Sequence, residues 1–470
     1  MSSSQEELLG RLRTGFNSGK TRSLEFRLSQ LQALKRLLDE NRQAINEALA
    51  QDLHKPGFEA EVSEISFLIT EINVALNNLK TWMKDEHVEK NWATKLNSAF
   101  IRKDPFGVVL IIGAWNYPIQ LLLNPLVGAI GAGNCAILKP SELSKSTEKL
   151  VSNLLPRYLD QECFAVVCGG PQEISQLLEN KFDYIFFTGN ASVGKIIMAA
   201  ASKHLTPVTL ELGGKNPCFV DNGCNPKNIA NRLAWVRFFN AGQTCVAPDY
   251  VLCTWQMREQ LLSALKETLE TFYGKEPQQS SDFGRIINDR HFQRVKALLQ
   301  SGSVAIGGQS DKSDKYIAPT VLVDVQESDP VMQEEIFGPI LPILTVESPE
   351  EAIAFINRQE KPLAFYAFSP DSKVIDAMLD RTSSGGFCGN DGMMHMTLPS
   401  LPFGGIGHSG MGNYHGKFSF NTFSHHRAVL LRSPGLEKLN TLRYPPYTKS
   451  NLGLLLCATE VKQKGMCTLL

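Results

Sequence analysis

The spacing of apolar residues changes along the chain, and each spacing predicts a different kind of element. In the first hundred residues leucines recur at helical intervals, as at Leu31, Leu34 and Leu38, so 5–98 are predicted to be helical. Further on, short apolar runs alternate with segments of helical character. They predict strands at 107–112, 135–138, 164–167, 184–187 and 208–210, with helices such as 145–155 and 172–180 between them. This alternation is typical of a parallel sheet with helices on both faces.

A second alternating series follows Gly213 and predicts a second α/β unit. Its strands are expected at 217–220, 250–253, 303–306, 316–323, 340–345, 364–368 and 385–388, and its helices at 256–272, 289–300 and 349–358. After Phe420 the regular pattern fades. Three prolines, Pro434, Pro445 and Pro446, then predict an extended tail.

One uncharged run, 106–138, is long enough to be tested as a membrane span. Two prolines, Pro118 and Pro125, interrupt it, and Asn116 and Asn124 would need hydrogen-bonding partners within lipid. We therefore expect a buried parallel strand, a loop and a buried helix in this run.

Composition and charge exclude some classes of function. The chain is 43% hydrophobic and has a formal charge of −1, so no overall positive field is available to hold a nucleic acid. Its ten cysteines form no CxxC pair. That spacing predicts reduced thiols in a cytosolic protein and no metal site.

A glycine turn lies between a predicted strand and a predicted helix, from Thr188 to Lys195. Backbone N–H groups at the start of a helix favour a pyrophosphate, although the spacing here is G-x-x-x-x-G and not G-x-G-x-x-G. A nucleotide-hydrolysing P-loop is the competing interpretation. It is weakened because Ile196 stands where that motif places the Mg²⁺-binding hydroxyl. A structural turn without a ligand is the third interpretation.

Two further stretches suggest covalent chemistry. Cys245 lies in the small-residue run Ala241-Gly242-Gln243-Thr244-Cys245, and Glu211 is followed by Leu212-Gly213-Gly214. A thiol can attack a carbonyl carbon, and a carboxylate can activate water to release the product. Together with the glycine turn, they predict an oxidising enzyme that makes and hydrolyses a thioester. Cys253 is a second thiol nearby, but it lies in a predicted strand and is expected to be inert.

The motifs of this chain resemble those of the aldehyde dehydrogenase superfamily. The resemblance is strongest to the class 3 branch and its lipid-anchored B-type enzymes, and it extends from about residue 22 to residue 432. The ordered motifs are Gly113-Ala114-Trp115-Asn116-Tyr117-Pro118, Leu138-Lys139-Pro140-Ser141-Glu142, Glu211-Leu212-Gly213-Gly214-Lys215, Gly242-Gln243-Thr244-Cys245, Glu334-Glu335-Ile336-Phe337-Gly338-Pro339 and Pro402-Phe403-Gly404-Gly405-Ile406-Gly407.

The resemblance implies a catalytic role for three residues. Cys245 would be the nucleophile, and the side-chain amide of Asn116 with the backbone N–H of Cys245 would stabilise the oxyanion. Glu211 would activate the water that hydrolyses the thioester.

The resemblance also implies a cofactor site for NAD, with NADP as a possible alternative. Lys139 and Glu142 would hold the adenosine ribose, and the Glu142 carboxylate, which would repel a 2′-phosphate, favours NAD. The glycine turn would face the pyrophosphate, while Glu335 and Phe337 would hold the nicotinamide ribose and ring. The turn residues are Gly189, Asn190, Ala191, Ser192, Val193 and Gly194.

We expect four regions in this α/β, aldehyde dehydrogenase-like chain. Residues 1–211 would form a helical N-terminal region and a parallel-sheet dinucleotide-binding domain, and 212–404 an α/β catalytic domain. Residues 405–432 would return to the cofactor domain, and 433–470 would form a basic, extended tail with a lipidation motif. The resemblance implies a homodimer.

The tail suggests attachment to a membrane. The chain ends Cys467-Thr468-Leu469-Leu470, which fits a C-a-a-X box for geranylgeranylation, although an ordinary terminus with a chance cysteine is the alternative. From residue 427 to 464, seven Lys and Arg against two Glu give a net charge of +5. A lipid chain with a basic segment is the combination that anchors a protein to a membrane. Cys457 is a candidate palmitoylation site.

These observations predict NAD(P)-dependent oxidation of medium- or long-chain, lipid-derived aldehydes to carboxylic acids. The expected location is the cytosolic face of the plasma membrane or a lipid droplet, with a soluble cytoplasmic fraction. One alternative is an acylating dehydrogenase of the same fold, which needs no hydrolytic base. The other is a catalytically silent lipid-binding scaffold, which would not need Cys245, Glu211 or Asn116.

Overall fold

The computed structural model describes residues 2–435 and 437–461, with side chains from residue 5 onward. The C-a-a-X cysteine, Cys467, lies outside the described residues. The N-terminal region is helical as predicted, and its helices are Ser2–Asn17, Leu24–Glu40, Arg42–Leu53, Gly57–Ala60 and Ser66–Trp82, with a π-helical turn at Glu61–Ile65 before the last. The prediction is wrong at its end, because Glu86–His87 is a short strand that pairs with Ser98–Pro105.

The first large sheet follows the predicted alternation. Its strands, in spatial order, are Gly410–Met411, Val208–Glu211, Tyr184–Thr188, Val108–Ile112, Cys135–Lys139 and Phe164–Val166. All neighbouring strands are parallel except the pair that includes Gly410–Met411. The helices of this part are Gln120–Ala132, Lys145–Tyr158, Pro171–Leu178 and Ala191–Ser202. The uncharged run forms a fully buried strand and a fully buried helix, as predicted.

The register of this sheet brings the predicted chemistry to one edge. Thr188 pairs with Glu211, and Ile112 pairs with both Phe187 and Lys139. Because parallel strands end at the same edge, the residues that follow them lie side by side, which is where ligands bind in open α/β sheets.

The second large sheet is also nearly all parallel. Its strands, in spatial order, are Ser303–Ile306, Thr320–Val323, Ile340–Thr345, Tyr250–Cys253, Pro217–Val220, Ala364–Phe368 and Gly386–Gly389, and the first of them is antiparallel to its neighbour. The helices of this part are Pro226–Phe238, Trp255–Tyr273, Asp289–Leu298, Pro330–Gln333, Pro349–Arg358 and Ser372–Arg381.

The predicted strand 316–323 is in fact two strands. Tyr316–Ile317 pairs with Ser310–Asp311 as a small hairpin, and Thr320–Val323 joins the large sheet. The break falls at Pro319, which has no N–H to donate to a continuous ladder.

The extended tail predicted after Phe420 is wrong in two places. Following the short helix Gly416–Thr422, Ser424–Leu431 is an eight-residue strand that pairs along its whole length with Ser98–Pro105. Its partner is more than three hundred residues away in sequence, so no local pattern marked it. Two helices follow, Glu437–Asn440 and Lys449–Thr459. Among the described residues, none of the helices has the length and apolar character needed to cross a membrane.

Candidate active site

A cavity of about 550 Å³ opens at the carboxyl edge of the first sheet and is also lined by residues of the second. It brings together the three predicted catalytic residues, Cys245, Glu211 and Asn116. Several predicted cofactor residues line it too, namely Gly189, Asn190, Ala191, Ser192, Glu335 and Phe337. Four others, Lys139, Glu142, Val193 and Gly194, do not contribute to its lining.

Cys245 follows a tight 3-10 turn, Phe239–Gly242, whose backbone is unusual. Asn240 and Ala241 have φ of 54° and 52°, a left-handed conformation that non-glycine residues rarely adopt. Such strain is maintained only where surrounding contacts impose it, and it is frequent at functional sites. Gly242, with φ of 73°, is required for a second reason, since a Cβ there would lie 2.2 Å from the carbonyl oxygen of Gly338.

The thiol of Cys245 is half-buried in the cavity. Desolvation raises its pKa, and the carboxyl groups of Glu335 and Glu211 raise it further. The backbone N–H groups of Cys245 and Val246 act on the sulfur in the opposite direction and favour the thiolate. The sulfur is therefore kept as a thiol until a base or a bound ligand changes its surroundings.

Glu211 ends the strand Val208–Glu211 and is only 2% exposed. Neither of its carboxyl oxygens has a hydrogen-bond partner among the described residues, although the side chain lines the cavity. Burial alone raises the pKa of Glu211 well above its ordinary value. An unpartnered buried carboxyl group is costly and occurs mainly where function requires it, so Glu211 is available to take a proton.

The position of Asn116 is fixed at both its backbone and its side chain. Its amide nitrogen Nδ2 donates to the carbonyl of Gln243 at 3.1 Å. Its own carbonyl accepts from Lys55 Nζ at 3.0 Å and from Asn240 Nδ2 at 2.9 Å. A side-chain amide has two N–H donors, so one remains to face the cavity.

A buried ion pair that the sequence did not indicate lies behind Asn116. Lys55 Nζ is 2.5 Å from Glu64 Oε1, and both side chains are fully buried. The other oxygen of Glu64 accepts the backbone N–H groups of Ile119 and Gln120 at 2.9 and 3.1 Å. Lys55 also lies 4.1 Å from the ring centroid of Tyr117. The pair thus holds the chain at Asn116 and at residues that follow it closely.

A second buried carboxyl group supports the turn before Cys245. Glu59 Oε2 accepts the backbone N–H of Asn240 at 2.9 Å, and burial raises the pKa of Glu59 to about 8. Gln243 donates to the carbonyls of Asn240 and Arg285 at 3.0 and 2.9 Å. These contacts stabilise the left-handed backbone of the turn.

The glycine turn adopts the geometry predicted for it. Asn190 caps the helix Ala191–Ser202, and its side chain accepts the N–H of Val193 at 2.9 Å. Gly194 instead packs against Leu212, where a Cβ would lie 2.8 Å from a leucine methyl carbon. The first half of the turn therefore faces the cavity, and the second half joins helix to sheet.

The two residues predicted to hold a ribose lie further along the same sheet edge. Lys139 ends the strand Cys135–Lys139 and is only 1% exposed. Its Nζ contacts the carbonyl of Pro140 and lies 3.5 Å from Glu142 Oε2. Gly113, which follows the neighbouring strand, donates its N–H to the carbonyl of Lys139 at 3.0 Å.

Glu335 and Phe337 approach the cavity from the second unit. A Cβ on Gly213 would lie 2.1 Å from Glu335 Oε2, so the Gly-Gly sequence after Glu211 makes room for this carboxyl group. Burial, with Asp249 nearby, raises the pKa of Glu335 to about 8. Phe337 has φ of 48°, and its ring meets Trp115 edge-on with centroids 5.3 Å apart.

Sequence reasoning missed several residues of the lining. His291 is one, and its ring lies 5.1 Å from that of Trp115. Burial, with Arg294 and Arg290 nearby, lowers the pKa of His291 to about 4, so the ring is neutral near pH 7. Arg294 donates to the carbonyls of Glu335 and Ile336. No local pattern distinguished these residues, because they lie on an ordinary amphipathic helix, Asp289–Leu298.

Unpartnered polar atoms provide a test of whether a dinucleotide fits. Within residues 2–435 and 437–461, hydrogen-bond partners are lacking for Thr188 Oγ1, Glu335 Oε1, His291 Nδ1 and both oxygens of Glu211, all in the cavity lining. Buried polar atoms are normally satisfied, and a ligand rich in hydroxyl and phosphate groups would satisfy them. The residues present therefore fit NAD(P). Cys253, in contrast, is fully buried in its strand and does not line the cavity.

Comparison with known proteins gives an independent result. A model of the aldehyde dehydrogenase family matches residues 7–429. Aldehyde dehydrogenase family 3 member B1 of Rattus norvegicus is 67% identical over 465 residues, which cover 99% of each chain. A second rat protein, named aldehyde dehydrogenase, dimeric NADP-preferring, is 53% identical and covers 94% of this chain and 98% of its own.

Solved structures show the same fold. A Staphylococcus aureus AldH, solved in a substrate-bound state, superposes with a TM-score of 0.93 and 43% identity, covering 96% of this chain and 98% of its own.

Proposed function

The chain belongs to the aldehyde dehydrogenase family, and from that premise we propose that it oxidises medium- and long-chain, lipid-derived aldehydes at a membrane surface. That it is an aldehyde dehydrogenase, which converts aldehydes to carboxylic acids with NAD(P), follows from the family. The catalytic residues, the substrate class and the location are the proposal. The proposed catalytic residues are supported most directly by one observation. The Cys245 thiol and the Glu211 carboxyl group, which has no hydrogen-bond partner among the described residues, line one cavity.

The first step is addition of Cys245 to the aldehyde. Once the thiol of Cys245 has lost its proton to solvent, the thiolate sulfur attacks the carbonyl carbon, and the negative charge moves to the carbonyl oxygen, where the free N–H of Asn116 and the backbone N–H of Cys245 stabilise it. Such donors are effective because the contacts to Gln243, Lys55 and Asn240 hold Asn116 in place before the substrate arrives.

Oxidation and hydrolysis follow. Bound NAD(P) would supply the hydride acceptor for this oxidation, and loss of hydride from the carbon attached to Cys245 would convert the thiohemiacetal into a thioester. Glu211 then takes a proton from water while the water oxygen attacks the thioester carbon, and the carbon–sulfur bond breaks to release the acid. Glu211 favours this route over the acylating alternative, which needs no base at this position.

We assign the residues that would hold NAD(P) to three parts of the cofactor. The N–H groups of Gly189 to Ser192, at the start of a helix, suit the pyrophosphate, and Glu335 and Phe337 suit the nicotinamide half. Lys139 and Glu142 suit the adenosine ribose. We propose a preference for NAD, since the Glu142 carboxylate would repel a 2′-phosphate.

The lipid-derived substrate is supported by the tail. Residues 427–464 carry a net charge of +5, and the C-a-a-X sequence supplies a candidate prenyl site at Cys467. Cys457 is exposed on the helix Lys449–Thr459, as a palmitoylation site must be. We include in the proposal attachment to the cytosolic face of the plasma membrane or a lipid droplet, a soluble cytoplasmic fraction, and a homodimer.

A substrate and cofactor panel tests this function. The full-length protein should produce NADH from hexadecanal with a higher kcat/KM than from acetaldehyde or propanal, and NAD should give a higher kcat/KM than NADP. A preference for short, water-soluble aldehydes would contradict the lipid-derived substrate and leave the family assignment intact. Product formation that requires coenzyme A or phosphate would instead support the acylating alternative.

A further inference from the structure

The helix Lys449–Thr459 exposes apolar side chains to solvent. Its inner face is formed by half-buried Asn451, Leu455 and Ala458. Its exposed side chains include Leu452, Leu454 and Leu456, which are 55%, 55% and 41% exposed, and Cys457, with the polar Lys449, Ser450 and Thr459 at its two ends. A helix on a protein surface normally turns charged or polar residues outward. No charged residue occurs here between Lys449 and Glu460.

Other exposed apolar side chains lie beside this helix. The helix packs on the 3-10 turn Trp92–Thr94, where Trp92 is 75% exposed. Leu96, on the same loop, is 84% exposed, and Tyr447, just before the helix, is 80% exposed. We call these six side chains the apolar platform: Trp92, Leu96, Tyr447, Leu452, Leu454 and Leu456. Single exposed leucines are ordinary, whereas a group of this kind marks an interaction surface.

Basic residues accompany the platform. Lys95 Nζ lies 4.0 Å from the ring centroid of Trp92. Lys90, on the same loop, donates to the carbonyls of Lys95 and Asn97. Arg443 precedes the helix and Lys449 begins it, and Lys462 and Lys464 follow it in the sequence. A short uncharged helix with leucines, a tryptophan and flanking cations has the composition of segments that lie in the interface of an anionic bilayer.

We infer that the apolar platform inserts into the headgroup region of a membrane that contains anionic lipid, as a second attachment in addition to any lipid on Cys467. We assign a bilayer and not a second protein as the occupant, because the contacting side chains are apolar and the flanking cations Lys90, Lys95, Arg443 and Lys449 outnumber the flanking carboxylates Glu89 and Glu460. The inference rests on the membrane location proposed above, but it requires no prenyl group. A single prenyl chain holds a protein weakly, and a second contact strengthens the attachment.

The test uses full-length protein made in bacteria, with an unmodified C-terminus verified by mass spectrometry. It is sedimented with phosphatidylcholine vesicles that contain or lack phosphatidylserine. We expect binding to the anionic vesicles and a partition coefficient lowered at least roughly tenfold in the triple variant Leu452→Ser, Leu454→Ser, Leu456→Ser. The matched control is Leu205→Ser, which removes a leucine that is 91% exposed elsewhere and should bind like the wild type.

A second readout reports insertion directly. Bromine-labelled lipids quench tryptophan fluorescence only at close range, and quenching by them should disappear in Trp92→Phe although four other tryptophans remain. Unchanged activity of the triple variant on a short, soluble aldehyde would verify that it folds.

Two results would overturn the inference. The first is equal vesicle binding by the triple variant and the wild type, or no binding by either. The second is a changed oligomeric state of the triple variant in analytical ultracentrifugation, together with unchanged vesicle binding, which would make the platform a contact between subunits. Neither result affects the prenylation proposal, which is tested separately by the modification of Cys467 in mammalian-type cells.

Discussion

Among single residues, the proposed chemistry depends on the thiol of Cys245, which is accessible from the cavity while the nearby thiol of Cys253 is not. Cys245 lines the cavity, whereas Cys253 is enclosed in its strand. We expect Cys245→Ala to abolish aldehyde oxidation and to leave NAD binding largely intact, as measured by NADH formation and by calorimetry. Cys253→Ala is the matched control and should retain activity. Near-wild-type turnover in Cys245→Ala would show that another group is the nucleophile.

The carboxyl group of Glu211 and the thiol of Cys245 also predict a pH dependence. Burial raises the pKa of Glu211, and desolvation raises the pKa of Cys245. Both groups act in their deprotonated forms, so a raised pKa lowers the reactive fraction at neutral pH and lets it increase as the pH rises. We therefore expect kcat to increase from pH 7 toward alkaline pH, in steady-state assays on a soluble aldehyde. A rate that falls over this range would contradict these assignments.

The sequence was sufficient to identify the site residues that stand in a recognisable motif. Cys245 and Glu211 stand in short runs that suggest covalent chemistry, the family resemblance added Asn116, and the fold brings all three to one cavity. Lys55 and His291 could not be identified, because their importance comes from partners distant in the sequence. Lys55, for example, contacts the carbonyl of Asn116 from sixty-one positions away.

At the scale of elements, the buried pair Lys55–Glu64 connects the N-terminal helices to the loop that carries Asn116. Removing one member of a buried ion pair leaves an unpaired charge and typically costs about 3–5 kcal/mol. We expect Lys55→Met to lower the free energy of unfolding by an amount of this order, measured by urea denaturation, and to lower kcat more than it raises KM. The double variant Lys55→Met, Glu64→Leu should recover part of the stability. Wild-type stability and kcat in the single variant would refute this role.

Elements were predictable where the local pattern was complete. The buried parallel strands read as apolar runs, since both faces of each strand are covered, and their positions agree closely with the prediction. Ser424–Leu431 was missed because it is exposed along most of its length and its first half, Ser-His-His-Arg, is polar, so that only the last four residues form an apolar run. Its pairing with Ser98–Pro105 is long-range, and only the folded chain shows it.

For the whole molecule, we propose a catalytic body with a tail that attaches to lipid. The domain boundaries 1–211, 212–404, 405–432 and 433–470 remain predictions, although Gly410–Met411 does join the first sheet as expected of a returning segment. The sequence could not reveal the helix Lys449–Thr459, because prolines and the loss of periodicity around it indicated an extended chain.

The tail gives a prediction that separates location from catalysis. In mammalian-type cells, Cys467→Ser should move the protein from the membrane fraction toward the soluble fraction, measured by fractionation and immunoblotting. Activity on a short, soluble aldehyde should be unchanged, because residues 433–435 and 437–461, the described part of the tail, contribute nothing to the cavity lining. Mass spectrometry of wild-type protein should show a prenyl group on Cys467 and loss of the last three residues. An unmodified, full-length terminus would contradict the anchor.

In the proposed mechanism, Cys245 holds the substrate as a thioester until Glu211 activates water. Removing one general base typically slows a step by roughly 10²–10⁴-fold, so the acyl-enzyme should accumulate in Glu211→Gln. The direct measurement is peptide mass spectrometry of this variant after incubation with hexadecanal and NAD. We expect a hexadecanoyl adduct on the peptide that contains Cys245. The control is the double variant Cys245→Ala, Glu211→Gln, which should show no adduct on this peptide. An adduct on a different residue, or normal turnover without any adduct, would contradict it.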